Sequence, residues 1–161
     1  MINIEQYSPG AHKLIKHLDH LVKIRDGVLI SPIHLSLWPV AICNLKCSYC
    51  CGRNILDRNN KLTFEEYKTA IDILHKYGLL SIEFSGSPGE PLLWEHFKEA
   101  VDYAYDKGLK LSLITNGLLL KTISPETLSK FAWIRVSLQS IAHAKQINFK
   151  NTLIIMTSNL G

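Results

Sequence analysis

No stretch of the chain approaches the roughly 18 to 20 apolar residues that a membrane span needs. The start, MINIEQYSPG, lacks the basic and then apolar regions of a secretion signal, so a cytoplasmic location is expected. Cysteine is missing everywhere except between residues 43 and 51, where all four fall: Cys43, Cys47, Cys50 and Cys51. A disulfide framework staples distant segments, and that clustering excludes one. No block of like charge occurs, and the net charge is only +4 over 161 residues, with Lys and Arg scattered. Neither a nucleic-acid nor a membrane partner is indicated. With 47% hydrophobic residues, nine Gly and six Pro, the composition excludes disorder and collagen and fits one globular domain.

What the chain does contain is a period. Leu14, Leu18, Leu21, Val22 and Arg25 lie at helical spacing and Gly27 stops them, which predicts a leading helix outside the main fold. His12, His17 and His20 on that helix have no acid or thiol at ligand spacing beside them and read as solvated surface. Residues 33–38 (IHLSLW) then read as a strand, and residues 63–78 as a helix opened by a Thr63/Glu66 capping box. Strands are predicted at 80–85, 109–115 and 133–139, with helices at 91–108 and 124–131 between them. Alternating strands and helices mean parallel strands in right-handed βαβ units, so the fold class is α/β. Chemistry gathers at the carboxyl ends of such strands.

After the first strand comes C-N-L-K-C-S-Y-C, a C-x-x-x-C-x-x-C triplet from Cys43 to Cys50. Thiolates at this spacing on a looping backbone can share one centre, and soft sulfur selects an iron–sulfur cluster, zinc or copper. Three ligands on a four-iron cube leave one iron open. Cys51 points away from its neighbour Cys50 if the backbone is extended, but a zinc knuckle using all four cysteines is the competing reading.

This loop, with aromatic Tyr49 before the last cysteine, resembles the signature of the radical S-adenosylmethionine (SAM) superfamily. Three other segments resemble family landmarks at matching strand ends. They are S-G-S-P-G-E-P (85–91), in which Gly89, Glu90 and Pro91 match a G-G-E-P pattern while Ser87 and Pro88 depart from it, then I-T-N-G (114–117), then R-V-S-L-Q-S (135–140) with Gln139 where Asp is common. The resemblance implies an incomplete parallel (β/α) partial barrel of about four βα units. It implies that Cys43, Cys47 and Cys50 hold a [4Fe-4S] cluster whose open iron takes SAM. Tyr49, Gly86, Gly89, Glu90, Asn116, Ser137 and Gln139 would then face SAM; the competing reading of Glu90 is a solvated loop carboxylate. The family chemistry is reductive cleavage of SAM to a 5′-deoxyadenosyl radical, fed by an electron donor such as a flavodoxin or ferredoxin. No catalytic residue and no substrate are assigned. The alternative is a non-catalytic iron–sulfur or zinc-binding remnant.

The expected organisation is a helical extension at 1–32, a partial radical SAM core at 33–140 and a tail at 141–161. Family members continue through two further βα units, for which the tail is too short, so a truncated frame is expected. Residues 148–161 (NFKNTLIIMTSNLG) resemble instead the sensor-1 strand of ClpB-type AAA+ chaperones, with Asn159 at the nucleotide-facing position. No G-x-x-x-x-G-K-[ST] loop accompanies them, which excludes an ATPase. The apolar run 152–157 is expected to add a fifth strand at the sheet edge.

Overall fold

The computed structural model describes residues 17–137 apart from 48, 49, 51, 53, 55, 56, 87 and 88. The described residues divide into two compact units, one ending at Ser31 and the other beginning at Pro32. In the first, helix α1 (Leu18–Arg25) carries Asp19 in its first turn and Lys23 and Arg25 in its last, and buries no residue. The predicted start of this helix before residue 17, and the tail strand, lie outside the described residues.

In the second unit, β1 (His34–Leu37), β4 (Ser81–Phe84), β5 (Lys110–Thr115) and β6 (Phe131–Val136) form a sheet in that spatial order, parallel throughout. Between the first two strands, β2 (Val40–Ala41) and β3 (Asp57–Lys61) pair as a short antiparallel ribbon. Helices α2 (Phe64–Lys76), α3 (Phe97–Asp106) and α4 (Pro125–Ser129) follow β3, β4 and β5 in the chain. The α/β class and parallel order match the sequence reading, and the described strands form an open sheet.

Local chemistry fixes the helix starts. The Thr63 hydroxyl accepts from the Glu66 amide at 3.3 Å while the Glu66 carboxylate accepts from the Thr63 amide at 2.9 Å. Ser124 caps α4 through the Thr127 amide at 3.2 Å, with Pro125 in the first turn. On α3, Phe97, Ala100, Val101 and Ala104 form one buried stripe. That stripe, with Tyr67 and Ile71 of α2, packs on Leu35, Leu37, Ile82, Phe84, Leu111, Leu113, Phe131, Ile134 and Val136. The buried Tyr67 hydroxyl donates to the Ala100 carbonyl at 2.9 Å and ties the two helices together.

Three boundaries differ from expectation. The predicted helix at 91–108 is a 3₁₀ turn (Pro91–Leu93) and then α3, because Trp94 leaves the helical path, with extended backbone, and its indole N–H donates to the Leu62 carbonyl at 2.8 Å. The last strand begins at Phe131 instead of Trp133, drawn in by Phe131 stacking on Phe97 with centroids 6.1 Å apart. The β2–β3 ribbon replaces part of an expected polar loop.

Candidate functional site

The ribbon matters because it brackets the cysteine loop. Leu62 donates its amide to the Pro39 carbonyl at 2.8 Å, closing the base of residues 40–61. Within the loop the Cys50 amide donates to the Cys47 carbonyl at 3.2 Å, a turn that holds these two cysteines on one short arc. Cys43, Cys47 and Cys50 are all free thiols, the first two half-buried and the third exposed.

Three loops from three strands meet around Cys43. The amide of Glu90, in the loop after β4, donates to the Ile42 carbonyl at 2.7 Å. Its carboxylate turns inward, 2% exposed, and accepts from the Thr115 hydroxyl at 2.6 Å, the Asn116 amide at 2.8 Å and the Leu92 amide at 3.3 Å. Glu90 is therefore a buried tie between the β4 and β5 ends, not a solvated loop carboxylate. The Asn116 side-chain amide donates to the Asn44 side-chain Oδ1 at 2.7 Å and lies 3.9 Å from the Cys43 sulfur. The Leu118 amide donates in turn to Asn116 Oδ1 at 3.0 Å, fixing that rotamer.

The glycines explain how the loops come so close. Gly89 adopts φ +116°, and a Cβ there would collide with the Val40 carbonyl oxygen and sit 3.1 Å from that of Ile42. A Cβ on Gly86 would meet the Gly89 carbonyl, so Gly86 lies against the backbone of Gly89 while Gly89 lies against that of Val40. The departures at Ser87 and Pro88 lie outside the described residues, as do Tyr49, Cys51 and Gln139. Ser137 is exposed just past β6, its amide donating to the Thr115 carbonyl at 2.9 Å.

Electrostatically the half-buried Cys43 thiol and the buried Glu90 carboxyl shift in the same direction. Burial pushes the Cys43 thiol above its ordinary value, partly offset by the Leu45 amide donating to its sulfur at 3.4 Å. Burial also raises the Glu90 carboxyl, against the three hydrogen bonds that favour its charge. Among the described residues, no three His, Cys, Asp or Glu side chains are drawn into a ready-formed metal cage. The donor set nonetheless fits an iron–sulfur cluster: free soft thiols on one loop at the carboxyl edge of a parallel sheet, with amide donors beside the first sulfur. A separate cavity of ≈ 320 Å³, lined by Trp38, Val40, Asn60, Lys61 and Glu66 among others, includes none of these residues.

This loop-and-sheet arrangement has known counterparts. The model of the Radical SAM superfamily matches residues 39–153, and the chain belongs to that family. Among curated proteins it is 44% identical over 103 residues to an S-adenosylmethionine-dependent nucleotide dehydratase of Selenomonas ruminantium, covering 62% of this chain and 36% of that protein. It is 31% identical over 140 residues to the Fe-coproporphyrin III synthase of Methanosarcina barkeri, covering 84% and 33%. The chain thus spans about a third of the length of the curated relatives it matches. Among solved structures, Streptococcus suis SuiB bound to precursor peptide SuiA aligns with a TM-score of 0.59 at 23% identity, over 80% of this chain and 29% of that one. SuiB bound to S-adenosylmethionine aligns at 0.51 with 22% identity, over 76% and 27%, and the likeness is one of fold.

Proposed function

We propose that this chain carries the cluster-and-SAM half of a radical SAM enzyme, with Cys43, Cys47 and Cys50 as the three protein ligands of a [4Fe-4S] cluster and SAM on the remaining iron. The observation that supports this most is the junction at Cys43. A free, half-buried thiol is locked by Asn116, Asn44 and the Glu90–Ile42 hydrogen bond to the ends of two further strands, where a ligand can touch all three loops. When bound, the cluster supplies the single electron that splits SAM into methionine and a 5′-deoxyadenosyl radical.

The chain's own residues position and enclose. Gly86 and Gly89 let the loop backbone run close to its neighbours, which leaves main-chain polar groups able to meet the methionine end of SAM. Glu90 serves this through its buried ties, holding the loop, while Asn116, Ser137, Gln139 and Tyr49 are the side chains assigned to the SAM side. A flavodoxin- or ferredoxin-type donor would deliver the electron. Substrate turnover is not assigned to these residues, since the match covers only about a third of the curated relatives.

Anaerobic reconstitution with iron and sulfide, followed by metal analysis and electron paramagnetic resonance, tests the reading. Cys43→Ala, Cys47→Ala and Cys50→Ala should each abolish the cluster and Cys51→Ala should leave it. Tightly held zinc that requires Cys51 would establish the zinc module instead.

A further inference from the structure

Among the described residues, the amide donors found at cysteine sulfur both serve Cys43: the Leu45 backbone amide at 3.4 Å and the Asn116 side-chain amide at 3.9 Å. Leu45 belongs to the cysteine loop itself, whereas Asn116 follows β5, 73 residues further along the chain. Neighbours dictate which way the Asn116 amide is turned. The Leu118 backbone N–H is a donor and needs an oxygen, which it finds in Asn116 Oδ1 at 3.0 Å. The Asn116 nitrogen is thereby directed towards Asn44 and Cys43.

Asn44 completes the arrangement. Its Oδ1 accepts from the Asn116 amide at 2.7 Å and lies 4.0 Å from the Cys43 sulfur. Alone, that oxygen would turn a partial negative charge on a sulfur that becomes negative when it binds metal. Bonded to Asn116, it instead holds the positive end of an amide beside the sulfur, and an amide nitrogen carries two hydrogens, so one bond to Asn44 does not exhaust it. Asn116 is only 9% exposed, which leaves its dipole weakly screened by water. Donors of this kind matter to an iron–sulfur cluster because reduction adds negative charge, and hydrogen bonds to the sulfurs help set the potential at which it happens.

We propose that Asn116 and Asn44 are a positioning pair that makes the cluster easier to reduce, Asn116 presenting its amide to the Cys43 ligand and Asn44 holding the amide in place. The proposal rests on the cluster reading above and goes beyond it in giving two named side chains a part in setting the reduction potential.

The full chain and its variants are reconstituted with iron and sulfide and titrated reductively, the reduced cluster being followed by electron paramagnetic resonance. SAM is left out, so a contact between Asn116 and SAM does not enter the measurement. Asn116→Ala should lower the ratio of reduced to oxidised cluster at a fixed potential about three- to tenfold, tenfold being 59 mV for one electron. Asn44→Ala should lower it similarly, and the double variant no further than the larger single one, because both remove the same donor. Asn116→Asp keeps the shape and can accept from the Asn44 amide once that is turned, so the link between the loops survives while an anion replaces the donor; the ratio should fall below that of Asn116→Ala. Thr115→Val loosens the same junction through Glu90 without facing the sulfur. It should lower the urea midpoint of the metal-free chain and leave the potential in place. If an Asn116 variant fails to load, the exposed Asn44 carries the comparison. Unchanged potentials in the loaded asparagine variants, additive effects of the two asparagines, or an equal shift in Thr115→Val would each overturn the proposal and leave the cluster reading standing. A native chain that loads no cluster refutes that reading and this proposal with it.

Discussion

Replacing Glu90 by alanine tests whether the buried carboxylate holds the three loops together. The substitution strands the Asn116 and Leu92 amides and the Thr115 hydroxyl, whose bonds to Glu90 measure 2.8, 3.3 and 2.6 Å. Each buried donor left unsatisfied costs about 1–3 kcal/mol, while removing a buried charge returns part of that, so a net loss of about 2–4 kcal/mol is expected. Urea unfolding of the metal-free chain followed by circular dichroism measures it; a loss below about 0.5 kcal/mol would refute the role of Glu90 as a tie. The pH dependence supplies a second check. Burial raises the Glu90 carboxyl above its ordinary 4.5, so the folded state binds this proton more tightly than the unfolded one. The favourable contribution is therefore complete below the unfolded value and is lost as pH rises through the folded one. The stability of the native chain relative to Glu90→Gln should fall as pH climbs from 4.5, and a difference that rises with pH would contradict the burial.

Gly89→Ala combines positive-φ strain of about 1–3 kcal/mol with a collision against the Val40 carbonyl worth a similar amount. Gly108→Ala, at φ +77° with open space around it, should carry only about 1 kcal/mol, and equal losses in chemical denaturation would argue against the collision. Tyr67→Phe removes the buried hydrogen bond to Ala100 and should lower stability by about 1–2 kcal/mol, read from the urea midpoint at constant slope. In the metal-free chain Cys43 should alkylate more slowly than exposed Cys50, since burial disfavours its thiolate; peptide mass spectrometry that finds Cys43 modified first would count against that environment.

The β–α alternation was legible because each strand is a short apolar run and each helix begins at a readable cap, as Thr63 and Ser124 show. The ribbon strand β3 escaped because its sequence, Asp-Arg-Asn-Asn-Lys, has neither alternation nor β-branched residues, the two signals by which a strand is read. The position of the cysteine loop could be read from the residues that follow a predicted strand. The inward turn of Glu90 could not, because its partners lie 25 and 26 residues further along and only the pairing of β4 with β5 brings them together. The break at Trp94 had a weak signal in Pro91, which starts a turn as readily as a helix.

The clamp on Cys43 sets a timetable for synthesis. Asn116, which holds Asn44 and approaches the sulfur, lies 73 residues after that cysteine. At translation rates of 5–20 residues per second the cysteine loop emerges about 4–15 s before its restraint exists. During that interval the thiols belong to an unfinished sheet, open to oxidation and to whatever metal arrives first. Metal delivered after β5 has docked meets a loop already tethered at Cys43, so, under the proposed function, the order of chain growth favours cluster insertion as a late step in maturation.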